Sequence, residues 1–529
     1  MKTVRLSDNL DGIKAAAEIL KADGVVALPT ETVYGLAASA YSDKAISKVF
    51  SAKGRPQDNP LIVHISDIEM LSGVVSDFSE KAKALAEKFW PGPLTMVLPK
   101  GKAVCDSVSR GLETVAVRMP QNKVAREVIR VSGLPLAAPS ANLSGSPSPT
   151  SADHVIADLD GKIDAVIMSG KCSVGVESTV VSLVTNPPRL LRPGLITTEQ
   201  LREILPDLVI DKAVLEELAH GEKAASPGMM YKHYSPKTEV FLVEGGKEEF
   251  VSFVNNKPNA AAVCFEEETA KINIKTLSLG SAENSVDHAK KLFWVLRECD
   301  GLKVDTIYIH APVKEGVGLA VYNRLVRAAG FKVIKLKTVI GLTGPTGSGK
   351  TSACAVAEEL GYKVINCDTL AREAVENEDA LSALTKAFGN DILENGKLNR
   401  AALAKKAFIS EDKTALLNKT LLPFIVELIK EEIQKAAENK ILLDAPTLFE
   451  SGADSLCKNV IAVLSCVENR KKRILARDNI TEDAADLRIS AGKDDNYYKD
   501  KTQHIIYNNG ELATFKKEFK EKLKALEEK

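Results

Sequence analysis

The chain has 529 residues, 45% of them hydrophobic and 27% charged, with a formal net charge of −1. That length calls for about three or four folding units, and the composition excludes a disordered or membrane class and the strongly basic footprint of a protein whose main work is gripping nucleic acid. The eight cysteines, at 105, 172, 264, 299, 354, 367, 457 and 466, form no CxxC pair, which excludes a zinc ribbon and a disulfide framework.

Residues 1–10 lack the apolar core of a signal peptide, and no run reaches the ~18 apolar residues of a membrane helix, so a cytoplasmic chain with no membrane partner is expected. The opening segment predicts mixed α/β structure. Val25 to Leu28 reads as a strand closed by Pro29, and further strands are expected at Thr95 to Leu98 and Thr114 to Val117, the segment ending near Ile210. Loops rich in Ser, Gly and Pro at Pro139 to Thr150 and Lys171 to Thr179 are where a site would be built. Near such loops stand the cations Lys53, Arg55, Arg118 and Arg192 and the hydroxyl residues Thr30, Thr32, Ser140, Ser148 and Ser178. Cations and hydroxyls in polar loops suit a phosphate or carboxylate ligand. The segment offers no zinc-ligand cluster and no nucleophile–base pair. On residue types alone the cations read equally well as solvated charges. A basic concavity for RNA is the competing function class, although no aromatic ladder for stacked bases is visible.

Residues 219–236, AHGEKAASPGMMYKHYSP, are turn-rich without apolar period and read as an interdomain strap. Strands follow at Val240 to Val243 and Ala260 to Phe265, a helix at Asn284 to Cys299, a strand at Thr306 to His310, a helix at Gly316 to Ala329 and a strand at Lys332 to Leu336. This alternation describes a small Rossmann-like α/β domain. The expected division is 1–212, a strap over 213–237, a small domain over 238–337, and a last domain over 338–529.

The last domain opens with the strand Val339 to Thr343 and then Gly344-Pro345-Thr346-Gly347-Ser348-Gly349-Lys350-Thr351, which fits G-x-x-x-x-G-K-[ST] ahead of a helix. In such a loop backbone N–H groups and the helix N-terminus cradle phosphates, Lys350 reaches the β/γ-phosphates and Thr351 ligates Mg²⁺. Asp368, at the end of the expected strand KVINCD, is either a carboxylate that takes the proton of an acceptor hydroxyl or the N-cap of a helix expected over Thr369 to Glu376. Asp444 ends the strand Ile441 to Leu443, where a metal-supporting carboxylate sits in this fold class. Arg470, Arg473 and Arg477 share a helix face, either as solvated charges or as a lid over transferring phosphate. The terminal helix carries Phe515, Phe519, Leu523 and Leu526 at helical spacing, the pattern of a docked helix more than of a membrane anchor.

GLTGPTGSGKT, NCDTLAREAV, FGNDIL, LNRAALAKKAF, DAPTLFESG, RDNITEDAADLRISA and IIYNNG together resemble dephospho-coenzyme A kinase in order and spacing. The resemblance implies ATP-dependent phosphorylation of the ribose 3′-hydroxyl of dephospho-CoA. It makes Asp368 the base, puts Arg372, Asp444, Pro446 and Glu450 around the acceptor, and assigns Arg477 to the lid. Gly344, Gly347, Ser348, Gly349, Lys350 and Thr351 hold ATP. The sequence departs from the family at Leu422, where a histidine is usual, and at Gly492, where a glutamine is usual. These departures leave open a weakened kinase that only binds nucleotide.

LPTETVYGLAASA, AKGRPQDNPLIVHI, WPGPLTMVL, VAVRMP, APSANLSGSPSPT, ESTVV and LRPG resemble the YrdC-like domain of threonylcarbamoyl-adenylate synthases. SPGMMYKHYSP and EGVGLAVYNRLVRAAG resemble the strap and second domain of the longer members, with Met230 where a lysine is common. The resemblance implies conversion of L-threonine, bicarbonate and ATP to threonylcarbamoyl-AMP and pyrophosphate. The product feeds a tRNA modification, with tRNA or tRNA-modification proteins as candidate partners. It places Thr32, His64, Arg118 and Ser178 around threonine, and Lys53, Arg55, Asn59, Thr114, Ser140, Asn142, Ser148, Arg192 and Tyr231 around ATP. His64, alone on the strand LIVHI, reads otherwise as a satisfied core histidine.

Overall fold

The computed structural model describes residues 2–54, 60–216, 234–394, 396–407, 409–502 and 504–527. It divides into two compact units, Met1–Glu244 with Phe250–Ile334, and Gly245–Glu249 with Lys335–Lys529.

The first unit contains a mixed sheet of eleven strands. Its centre carries the site, through Leu136–Ala137, Ile62–His64, Thr114–Arg118, Leu94–Pro99 and Thr179–Ser182 in adjacent order. Register matters more here than strand length. Ile62–His64 runs parallel to Thr114–Arg118 with His64 opposite Arg118, and Leu94–Pro99 runs antiparallel to the same strand with Thr95 opposite Arg118. Because side chains alternate between faces, a slip of one residue would turn Arg118 to the other side of the sheet. Helix Leu10–Lys21, whose Asn9 cap accepts the Gly12 N–H at 3.1 Å, lays Ile13, Ala16, Ala17 and Leu20 on the sheet.

A five-stranded sheet follows in the same unit, ordered Lys275–Ser278, Ala260–Cys264, Thr306–His310, Glu239–Glu244 and Val333–Lys335. Its first four strands pair in parallel, as the expected Rossmann-like alternation requires. Helix Gly316–Ala328 is buried at every position from Gly318 to Ala328. A helix covered all round is enclosed, not laid on a surface. Its Val321 and Leu325 join Val33, Val174 and Val176 of the opening segment in one apolar cluster, so the two sheets of this unit share core.

The second unit has a sheet ordered Lys363–Asn366, Lys440–Asp444, Thr338–Thr343, Asn459–Leu464 and His504–Tyr507, with every neighbouring pair parallel. The P-loop strand lies at its centre, and its near-continuous apolar run fits a strand covered on both faces. Helix Leu512–Glu527 buries Phe515, Phe519, Leu523 and Leu526 against Ile340 and Leu342, as its spacing suggested. Among the described residues no helix is long and apolar enough to cross a membrane.

Candidate functional sites

In the first unit a concavity opens over the central strands. Thr30 shapes its rim. The Thr30 hydroxyl donates to the Val33 carbonyl at 2.6 Å and accepts the N–H groups of Thr32 and Val33, a side-chain turn that fixes Thr32. Arg118 Nη1 donates to Thr32 Oγ1 at 2.9 Å, its Nε to the Gly92 carbonyl, and its Nη2 lies 2.5 Å from Glu31 Oε1. Both members of this pair are only 4% exposed, so the guanidinium is held in place by a buried carboxylate.

His64 lines the same concavity. Burial, with the Arg118 charge beside it, drives its pKa down to about 3. The imidazole is therefore neutral near pH 7. Its Nδ1 lies 3.3 Å from the Ile62 carbonyl, which can only accept. The proton then sits on Nδ1, and Nε2 keeps a lone pair. The histidine is thus both satisfied in the core and part of the site wall.

Ser178 and Arg192 form a second wall. Arg192 Nε donates to the Ser178 carbonyl at 3.0 Å and Nη2 to its hydroxyl at 3.2 Å, while Ser178 Oγ sits 2.7 Å from Thr95 Oγ1. Ser148 donates to Glu177 Oε1 at 2.6 Å. Burial alone would raise Glu177, yet Arg324 and Arg192 hold its carboxyl below the ordinary range. Burial also lowers Arg192, to about 10, which leaves it cationic at neutral pH. Lys53 Nζ donates to the carbonyls of Ser140 and Asn142, the latter at 2.8 Å, and so fixes the polar loop against the end of helix Asp43–Lys53.

The sequence-predicted residues Thr32, Lys53, His64, Arg118, Ser140, Asn142, Ser178 and Arg192 all line this concavity. Ser148 stands behind Glu177, which lines it. Thr114 begins the strand that Arg118 ends, opposite Pro99, and is outside the residues lining the concavity. Arg55, Asn59, Met230 and Tyr231 lie outside the described residues. Sequence reasoning missed Glu31, Glu177 and Tyr234. The signal was a carboxylate inside the motifs LPTETVYG and ESTVV, among residues that bury, where a charge is costly unless paired.

In the second unit the P-loop glycines are there for space. A Cβ on Gly344, at φ 140°, would fall 2.2 Å from the Val463 carbonyl oxygen, and one on Gly349, at φ 111°, 2.1 Å from Asn508 Nδ2. Arg470 and Arg473 hold the loop from behind: Arg470 Nε donates to the Thr346 carbonyl at 2.9 Å, and Arg473 Nη1 to the carbonyls of Gly347 and Ser348 at 3.2 Å each. Asn508 Nδ2 donates to the Ser348 carbonyl at 2.9 Å. With the carbonyls tied back, the loop's N–H groups are left for an anion. Of the three arginines read as one lid face, two are scaffold. Arg477 is exposed and bonded to neighbouring Asp478 at 2.6 Å and 2.8 Å.

Lys350 Nζ donates to the Gly344 carbonyl at 2.8 Å, and burial lowers its pKa against the charges of Asp444 and Asp368. Asp444 accepts from Asn366 Nδ2 at 3.1 Å, while its buried Oδ1 has no hydrogen bond. Burial raises its carboxyl, Lys350 opposes that, and Asp368 adds to it. The helix expected at Thr369 is Cys367–Ala374, and its cap is Asn366, which accepts the Thr369 N–H at 3.1 Å. The N-cap alternative for Asp368 is thereby removed: it sits exposed in the first turn. Thr351 and Arg372 are exposed, Pro446 accepts from Thr343 at 3.3 Å, and exposed Glu450 accepts from the Tyr497 hydroxyl. Leu422 packs half-buried beside Ile425 and Leu443, and Gly492 follows helix Glu482–Ser490 with its N–H on the Ile489 carbonyl. Among the described residues no three His, Cys, Asp or Glu side chains gather as a metal site.

Three family models match in chain order: "Telomere recombination" over residues 18–194, "Threonylcarbamoyl-AMP synthase, C-terminal domain" over 196–330 and "Dephospho-CoA kinase" over 338–514. The threonylcarbamoyl-AMP synthase of Pyrococcus abyssi is 43% identical over 335 residues, which span 61% of this chain and 96% of that protein. The crystal structure of P. abyssi Sua5 complexed with L-threonine aligns with a TM-score of 0.59 at 40% identity, over 63% of this chain and 99% of that one. The dephospho-CoA kinase of Fusobacterium nucleatum is 33% identical over 181 residues, 34% of this chain and 94% of that protein. The chain therefore belongs to the threonylcarbamoyl-AMP synthase family through its first unit and to the dephospho-CoA kinase family through its second, two transferases in one polypeptide.

Proposed function

We propose that the first unit converts L-threonine, bicarbonate and ATP to threonylcarbamoyl-AMP and pyrophosphate, for modification of tRNA. The second phosphorylates the ribose 3′-hydroxyl of dephospho-CoA with ATP. The observation that carries the first activity is the pairing of a neutral His64 with the Arg118–Thr32 bond inside one concavity. An amino acid brings a carboxylate for the guanidinium and an amine or hydroxyl proton for a ring nitrogen that can accept. His64 uncharged does not repel the threonine amine, which must capture CO₂ before the carbamate oxygen attacks the α-phosphate. That attack needs alignment and charge neutralisation more than a protein nucleophile. Arg192 on the second wall and Lys53 behind the Ser140 loop supply cations for the phosphates, while Ser178, bonded to Arg192, offers its hydroxyl toward the threonine.

For the kinase, the tied-back P-loop receives the triphosphate, Lys350 reaches it, and Asp368 takes the proton from the acceptor hydroxyl. Asp444 fits a cation. It is a buried carboxylate with one bare oxygen, close to the Thr351 helix start. Thr351 and Asp444 would hold Mg²⁺, which neutralises phosphate charge when bound. Arg477, whose charge is felt at Lys350, stands where a lid arginine would approach.

One preparation tests both readings. Threonine-dependent pyrophosphate release and dephospho-CoA-dependent ADP formation are measured on the unmodified chain, on Lys350→Ala and on Arg55→Ala. Each change should abolish its own activity alone. Salt-sensitive RNA binding without pyrophosphate release would replace the synthase reading, and ATP binding without CoA formation would replace the kinase reading.

A further inference from the structure

Helix Gly316–Ala328 carries three buried polar side chains, Asn323, Arg324 and Arg327, and each bonds to the opening segment. Asn323 Nδ2 donates to the Val214 carbonyl at 2.6 Å, and Arg327 Nη2 to the Ala213 carbonyl at 2.6 Å. Arg324, fully buried at 0% exposure, reaches further. Its Nε meets Glu177 Oε2 at 3.0 Å, its Nη2 the Glu177 carbonyl at 3.2 Å, and its Nη1 the Pro193 carbonyl at 2.5 Å. Those two carbonyls flank the site: Glu177 directly precedes Ser178, and Pro193 directly follows Arg192. Arg192 in turn bonds Ser178 twice, and Glu177 holds the Ser148 hydroxyl. The bonds close a ring from Arg324 through Glu177, Ser178, Arg192 and Pro193 back to Arg324.

A buried ion pair is a poor way to gain stability, since apolar side chains of similar volume pack as well or better at such a place. A planar guanidinium does what an apolar side chain cannot: it fixes several acceptors in one plane. Here the acceptors are the backbone on either side of two site residues and the carboxylate that orients a third.

We propose that Arg324 is a positioning residue for the synthase reaction, setting through Glu177 and the Glu177 and Pro193 carbonyls where Ser148, Ser178 and Arg192 stand toward the substrates. The small domain thus completes the site without touching substrate. This rests on the synthase reading above.

The test compares the full chain with Arg324→Met and with Arg324→Met/Glu177→Gln, scoring kcat and KM for threonine-dependent pyrophosphate release. The kinase rate of each preparation counts intact chains. Arg324→Met removes the ion-pair partner of Glu177, leaving its buried carboxylate with only the Arg192 charge and the Ser148 hydroxyl, and is expected to lower the thermal midpoint as well as turnover. The double variant removes that charge and should recover the midpoint, yet its synthase kcat should stay about 10²-fold down, with a much smaller change in threonine KM, because misplacement on the ~1 Å scale is enough for such a loss. A double variant with full synthase turnover would reduce the pair to a structural tie and overturn the proposal. Pyrophosphate release that does not depend on threonine in the unmodified chain would overturn the synthase reading itself, and this proposal with it.

Discussion

The two proposed phosphate sites reach the same end from different materials. In the kinase unit the cradle is one run of eight residues, Gly344 to Thr351, and side chains such as Arg473 and Asn508 serve only to pull its carbonyls out of the way. In the synthase unit no single loop binds. Thr32, His64, Arg118, Ser178 and Arg192 come from five separate segments and meet through strand register and buried ion pairs. The first design depends on local backbone geometry, the second on long-range packing. Substitutions should therefore act sharply and singly in the kinase, and through neighbours in the synthase.

The sharpest break should be Asp368→Asn, expected to lower CoA formation about 10²–10⁴-fold while pyrophosphate release is unchanged. An unchanged kinase rate would put the base elsewhere. Lys350→Ala comes next, at about 10²–10³-fold on kinase kcat. In a calorimetric titration with a non-hydrolysable ATP analogue, the intact chain should bind two equivalents and this variant one. Thr32→Val keeps shape and removes one hydroxyl that Arg118 donates to, so threonine KM should rise about tenfold, near one hydrogen bond's worth. A kcat effect with no KM change would move Thr32 away from the amino acid.

Acid gives the mildest contrast. His64 is lowered to about 3 and His154 to about 4, both first by burial, from an ordinary value of 6.5. Between those limits the unfolded chain binds more protons than the folded one, so stability of the first unit falls as pH drops from about 6.5 toward 4. Both tryptophans of the chain, Trp90 and Trp294, lie in that unit, so their fluorescence reports it selectively. A urea midpoint that stays flat from pH 7 to pH 5 would contradict the burial of neutral imidazoles.

The same contrast decided what could be read in advance. The P-loop was legible because its signature is one contiguous run, Gly344 to Thr351, set between a strand and a helix. Strand positions such as Thr306–His310 were legible from apolar runs. That Asn366, and not Asp368, caps the following helix was not, because both residue types cap well and only the fold aims one of them. Nor was the scaffold role of Arg470 and Arg473, since helical spacing shows a face but not the carbonyls it meets. Glu31 and Glu177 acquire meaning only from Arg118 and Arg324, far along the chain.

The central kinase strand has a further consequence. Thr338–Thr343 pairs on one side with Lys440–Asp444 and on the other with Asn459–Leu464, so its neighbours are synthesised roughly a hundred residues after it. The nucleotide signature is complete in the chain long before anything can hold it in shape. Val463, in the second of those neighbours, and Asn508, later still, are the groups against which its glycines are fitted. ATP should therefore recognise this half only after the sheet has closed, which makes nucleotide binding a late chaperone-like selector for correctly assembled molecules and shifts refolding yield by mass action on the native state.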